Sequence, residues 1–349
     1  MNLNKYHKSQ EKRKKTSSVH PYIPNTIWMK KLDYLLRKFM KLESGANIFP
    51  LGHILLYYLC FIAAIYPGVV ESTSFLIFLW FMVALLNYSL SIGILHLHTH
   101  RKLFVSYWPN RVVEFLLCFP SCLSYPMMRY IHVYMHHRFD NGAGDITSTE
   151  GFRSGFKAIH YWLRYWLICQ LETIRGLFAS SAKPRWRKLR RQYIVDTLGC
   201  IAIVTMITAY VDPIRTLVFW HLSLVLVFIN IGFFAWLTHA PAFSGQINGS
   251  INTANKWSNF LMHNQGFHVI HHLHPGIHWT QIPAHLDVML DVDDSLIVPY
   301  WVTLPSAWRI VSPKKFRNAQ YGEKWKHTYQ QKKANNQLRS KLVPYFSWI

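Results

Sequence analysis

Four apolar runs, at about 51–70, 74–95, 194–211 and 216–238, constrain this chain more than any other feature. A helix crosses a lipid bilayer in about 20 residues, and each run is near that length. Tyr66-Pro67-Gly68 parts the first two, and Val211-Asp212-Pro213 parts the last two. Connections so short hold no domain, so the runs pair as two helical hairpins. Asp196, at the start of the third run, is expected at the membrane interface. With 51% apolar and only 15% charged residues, the chain is too greasy for a soluble fold. The expected fold class is all-α: a polytopic membrane protein with four transmembrane helices in two hairpins.

The formal net charge is +22, which by itself suggests a nucleic-acid partner. Its distribution says otherwise. Of the 38 Lys and Arg residues, 37 precede the first run, lie in the 96–193 connection or follow residue 238; the short turns hold only Arg215. This is the asymmetry of a cytoplasmic face, so both termini are expected in the cytoplasm and no nucleic acid is expected as a partner. Residues 1–25 read as a basic mobile tail and 26–47 as an amphipathic interfacial helix, with Ile27, Leu32, Leu35, Leu36 and Phe39 alternating with Lys and Arg. A membrane domain spans 48–311, and 312–349 is a basic C-terminal tail. Residues 111–126, interrupted by Pro120 and Pro126, are too broken for a fifth span and fit a re-entrant or interfacial segment. Residues 155–178 read as another interfacial helix, and the segment after Pro283 as a surface helix.

Histidine density is the second constraint. One cluster is His96-Leu-His98-Thr-His100, a second is His132-Val-Tyr-Met-His136-His137, and the third runs from His268 through His271 and His272 to His274 and His278. Neutral imidazole is a good ligand for iron, zinc, copper or nickel. On a regular helix, His96 and His100 share a face, as do His132 and His136. His137 lies about 100° round and is placed to reach a neighbouring metal, while His98 points elsewhere. His268, His271 and His272 span one turn and are placed to straddle a metal pair. His239 closes the fourth run at the same depth. The hairpin topology gathers His96, His100, His132, His136, His137, His239, His268, His271 and His272 on the cytoplasmic face, too many for one ion and about right for two. Around them, His98 and Asn264 are candidates for a supporting role. Asp140 and Asp145 are candidates to orient ligand imidazoles, the alternative being a solvated turn.

H-x-x-x-H, H-x-x-x-H-H and H-x-x-H-H, in this order and bracketed by two membrane hairpins, resemble the membrane fatty acid desaturase superfamily over roughly residues 50–285. The resemblance implies a cytoplasmic helical cap carrying two non-haem iron ions, O2 as co-substrate and a fatty acyl chain as substrate, as a free acid, thioester or lipid. It implies no further catalytic side chain beyond the metal ligands. Removing hydrogen from an unactivated methylene requires a cofactor of this kind. H-E-x-x-H and H-x-E are absent, which disfavours zinc hydrolysis. No haem domain is expected, so electrons come from an external donor, such as a ferredoxin or a cytochrome b5-type carrier.

His274-Pro-Gly-Ile-His278-Trp279 is similar to a branch that includes 1-alkene-forming fatty acid decarboxylases, leaving desaturation, decarboxylation and hydroxylation open as outcomes. A histidine-rich metal transporter is the competing class. It needs ionisable residues at mid-membrane, whereas the four runs carry almost none, His53 and His221 lying near their ends.

Overall fold

A computed structural model describes residues 27–152, 157–179, 184–240, 250–302, 315–335 and 337. It is helical nearly throughout, and among the described residues four helices are long and apolar enough to cross a membrane. Helix α1 is Ile27–Met40. The candidate spans are α2 (Gly45–Ile65), α3 (Thr73–His100), α7 (Pro184–Tyr210) and α8 (Pro213–His239). Between them lie α4 (Tyr107–Ser121), α5 (125–139) and α6 (158–179), and after them α9 (Lys256–Leu261), α10 (His268–Leu273) and α11 (Lys315–Ala334). A parallel pair of two-residue strands, β1 (Asn252–Thr253) and β2 (Ile297–Val298), ties the last third together.

Span limits differ from the apolar runs for local reasons. The first helix stops at Ile65 because Pro67 and Gly68 follow, Gly68 at a left-handed φ of 81°. The third begins at Pro184, ten residues before its apolar run, since Arg and Lys are good helix formers and Pro is suited to a first helical position. Asp196 therefore sits well inside α7. Its side chain is fully buried, and the Arg111 guanidinium of α4 pairs with it.

At one end of the bundle the two hairpin turns meet. Arg215, the lone basic residue of these turns, donates to the carbonyls of Ala64 (3.2 Å), Tyr66 (3.4 Å) and Val70 (3.1 Å). Asp212 caps the start of α8 by accepting from the Arg215 amide at 2.8 Å. The histidine-bearing ends of α3 and α8 lie at their other termini.

Helix α4, at 15 residues, reaches only about 22 Å. Its last carbonyls are buried among the spans and satisfied by them. Tyr58 donates to Leu116 (2.7 Å), Trp220 to Phe119 (3.2 Å) and Asn87 to Pro120 (2.7 Å). Buried backbone carbonyls at a helix end need such partners wherever water is excluded. Cys122 then turns the chain at a φ of 51°.

Apolar side chains such as Leu55, Leu59, Phe81, Leu198 and Val225 stay exposed on the outer faces of the spans. Helix α1 likewise leaves Trp28, Leu32, Leu35 and Phe39 uncovered while Met29 and Asp33 are buried. Residues 1–25, read above as a basic tail, lie outside the described residues. Within 312–349, α11 is a packed helix. Trp325 and Tyr329 are buried, Lys326 donates to the Val292 carbonyl at 2.6 Å, and Lys333 pairs with Asp287 at 2.6 Å. The segment after Pro283 belongs to a 3-10 stretch, Trp279–Asp291, that buries Leu286 and Met289.

Candidate metal centre

Two groups of imidazoles converge where α3, α5, α8 and α10 meet. His96, His100, His132, His137 and His271 offer ring nitrogens that all lie within 4.8 Å of one another. His136, His239, His268 and His272 do the same. The two sets together contain all nine imidazoles that the spacing singled out.

Close pairs within each set have the geometry of ligands. In the five-imidazole set, the Nε2–Nε2 distances are 2.9 Å for His96–His271, 2.8 Å for His137–His271, 2.9 Å for His132–His137 and 3.3 Å for His132–His271. In the four-imidazole set they are 3.3 Å for His136–His272 and 3.1 Å for both His239–His268 and His268–His272. Two nitrogens about 2.1 Å from a shared ion and at right angles to each other stand about 3.0 Å apart. Three mutually facing nitrogens, as in His132, His137 and His271, do not form a closed ring of hydrogen bonds, because each carries either a proton or a lone pair there. The grouping is consistent with a metal site.

Local backbone decides which imidazole joins which set. Residues Arg129–His136 form a π-helix, whose backbone bonds run between residues five apart and change the rotation per residue from that of a regular α-helix. In the folded chain His132 and His137 meet with their Nε2 atoms 2.9 Å apart, and His136 joins the other set. This corrects the i, i+4 pairing of His132 with His136, which assumed regular α geometry. A second π segment, Ser89–Leu95, immediately precedes His96. The α-helical spacings hold elsewhere: His96 and His100 point to one set, and His268 and His272 to the other.

Burial keeps most of these rings neutral. It lowers the pKa of His132, His137, His268 and His271 well below the ordinary value, and neighbouring imidazoles push the same way. His136 is the exception. Burial lowers it too, but the charge and hydrogen bond of Asp145 outweigh that and raise it. Asp145 Oδ2 lies 2.8 Å from His136 Nδ1, and Asp140 Oδ1 lies 3.0 Å from His272 Nδ1. Of the alternatives for this loop, orientation of imidazoles fits and a solvated turn does not, at least for the fully buried Asp145.

The remaining candidates stand apart. His98 faces away from both sets, its Nε2 3.6 Å from the buried Glu114 carboxylate. Asn264 is buried at a φ of 64° and donates to the Trp279 carbonyl at 3.3 Å. His53 bonds Ser89 at 3.0 Å and packs on the His263 ring. Sequence reasoning missed Arg129, which donates to the Thr99 carbonyl at 2.8 Å and so caps the helical turn carrying His96 and His100. It also missed Thr147, whose hydroxyl donates to Asp145 at 2.7 Å. No residue spacing marked either one.

A cavity of about 80 Å³ opens between α3, α5, α6 and α8. Histidines of both sets line it, with Ile92, Met128, Ile131, Ile231 and Phe234 making the rest largely apolar. Ile231 is eight residues before His239, so the cavity extends about 12 Å along α8 from the imidazoles.

The fatty acid desaturase family model matches residues 72–304, about two-thirds of the chain. The chain belongs to the fatty acid desaturase family. Membership brings a desaturase-like membrane oxidase, a fatty acyl substrate and a lipid environment. The histidine sets are consistent with the metal centre of such an oxidase. No curated protein and no solved structure matched the chain.

Proposed function

We propose that this desaturase-family protein is an O2-dependent di-iron oxidase that desaturates a fatty acyl chain, with His96, His100, His132, His137 and His271 holding one iron and His136, His239, His268 and His272 the other. The observation that carries this reading is the segregation of nine imidazoles into two convergent sets beside one apolar cavity. The two irons, when bound, supply the O2 activation that no side chain here provides. The chain's own residues do the rest. Ile92, Met128, Ile131, Ile231 and Phe234 bind and align the acyl chain against the imidazoles and exclude water from the reacting methylenes. Asp145 and Asp140 hold the protons on His136 Nδ1 and His272 Nδ1, leaving each Nε2 lone pair for metal. Asn264 supports the loop ahead of α10, and His98 ties the ligand-bearing end of α3 to Glu114 of α4.

The exposed apolar belt and α1 support a protein anchored in a bilayer. The placement of basic residues supports a cytoplasmic active site and termini, within reach of an external donor such as a ferredoxin or a cytochrome b5-type carrier. The family-level domain is taken as 48–311, flanked by α1 and by the C-terminal segment.

Expression with a reductase pair, followed by mass spectrometry of cellular fatty acids and hydrocarbons, tests the reading. The expected product is an unsaturated fatty acid of unchanged chain length. A terminal alkene one carbon shorter replaces desaturation with decarboxylation, and a hydroxy acid replaces it with hydroxylation. His136→Ala and His271→Ala are each expected to abolish product and lower bound iron while the protein stays in the membrane. Full activity in either variant refutes its assignment as a ligand.

A further inference from the structure

The two imidazole sets are unequal in more than number. Both carboxylates that face ligand rings serve the four-imidazole set, Asp145 through His136 and Asp140 through His272. Among the described residues no carboxylate lies within 4.0 Å of a ring nitrogen of His96, His100, His132, His137 or His271. Both acids come from one short loop directly after α5, so a single loop supports one half of the centre and leaves the other alone.

The two acids are also held differently. Asp145 has no exposed side-chain surface. Besides facing His136, it accepts from the Asn141 amide (3.1 Å), the Thr147 amide (2.8 Å) and the Thr147 hydroxyl (2.7 Å). Those bonds fix its orientation. Asp140 sits at a left-handed φ of 49°, with its side chain 44% exposed, and its amide donates to the His136 carbonyl at 2.7 Å. Water therefore screens the Asp140 charge and leaves the Asp145 charge nearly unscreened. A carboxylate on the far nitrogen of a ligand imidazole raises the basicity of the ligating nitrogen, and losing such a partner weakens metal binding about 10–100-fold.

We propose, on the reading of the two sets as iron sites, that Asp145 and Asp140 are positioning residues for the four-imidazole site alone, and that they make the two metals of the centre chemically distinct. Asp145 is the stronger of the two. The five-imidazole site relies on ligand number, with no anionic support behind its rings.

The test uses the full chain in detergent, stripped of metal and titrated with Co2+ against a competing chelator, with 57Fe Mössbauer spectra of the iron-loaded protein alongside. The wild type is expected to bind two ions per chain and to show two quadrupole doublets of equal area. In Asp145→Asn, one binding step weakens about 10–100-fold and one doublet shifts, while the other step and doublet are unchanged. Asp140→Asn does the same to a smaller extent. Asp145→Glu restores part of the lost affinity. Equal weakening of both steps, or unchanged binding in both Asn variants, overturns the proposal while leaving the di-iron reading standing. A wild type that binds fewer than two ions refutes the di-iron reading itself.

Discussion

Gly93 holds the first and third histidine clusters in register, and replacing it tests how the centre is built. It lies three residues before His96 in the π segment of α3, against the loop that leads into α10. A Cβ added there would stand 3.1 Å from the Leu261 carbonyl oxygen and 3.3 Å from Met262 Cα, both main-chain atoms. Two hydrogen bonds hold the same contact: Gln265 Nε2 donates to the Gly93 carbonyl at 2.6 Å, and Ser89 to the Leu261 carbonyl at 2.7 Å. Gly93→Ala asks the loop to give by a few tenths of an ångström and gains roughly 0.5–1 kcal/mol of helix preference, so it is expected to be nearly neutral. Gly93→Val drives branched methyls into the main chain. Overpacking costs about 1–3 kcal/mol and the strained amide bond about 0.5–1.5 kcal/mol, a loss of roughly 1.5–4.5 kcal/mol before the smaller gain from losing a helical glycine. Function is affected before stability is exhausted, because metal sites tolerate only about 0.2 Å of error in ligand distance. The His96–His271 separation of 2.9 Å spans this interface. Iron per chain and the thermal midpoint in detergent are the assays. Gly93→Val should lose iron while keeping its helical circular dichroism. Two irons per chain with an unchanged midpoint would show that this contact does not set the spacing.

Three further outcomes follow from other parts of the fold. In Arg129→Met the Thr99 carbonyl loses a charged donor, worth about 1.5–3 kcal/mol, and both the midpoint and bound iron should fall, with Arg129→Lys intermediate. A Cβ at Gly322 would run into the Asp294 main-chain carbonyl, so Gly322→Ala should undock α11 and expose it to limited proteolysis, leaving the spans intact. Burial raises the Glu114 pKa, but His98 and Lys102 outweigh it and hold it at about 2, below the 4.5 of the free side chain. Its stabilisation is thus complete above pH 4.5 and lost as pH falls toward 2, an upper bound of roughly 3 kcal/mol. The midpoint difference between wild type and Glu114→Gln should shrink across that window; a constant difference would contradict the assigned shift.

Composition and local order were enough to determine the four spans, the two hairpins and the gathering of nine imidazoles. Hydrophobic length and charge asymmetry are properties of segments and need no knowledge of what they pack against. The i, i+4 pairs His96–His100 and His268–His272 were legible for the same reason, since α-helical spacing alone aligns them. Tertiary structure alone decided how His132, His136 and His137 divide between the sets. A π-helix shifts the hydrogen-bond register by one residue, and no residue type in Arg129–His136 announces that shift. It also decided that Asp145 is buried against His136, that Arg215 joins the two hairpin turns, and that Lys315–Ala334 packs as a helix. Each of these depends on partners distant in sequence, and the strength of a polar contact is set by the burial those partners impose.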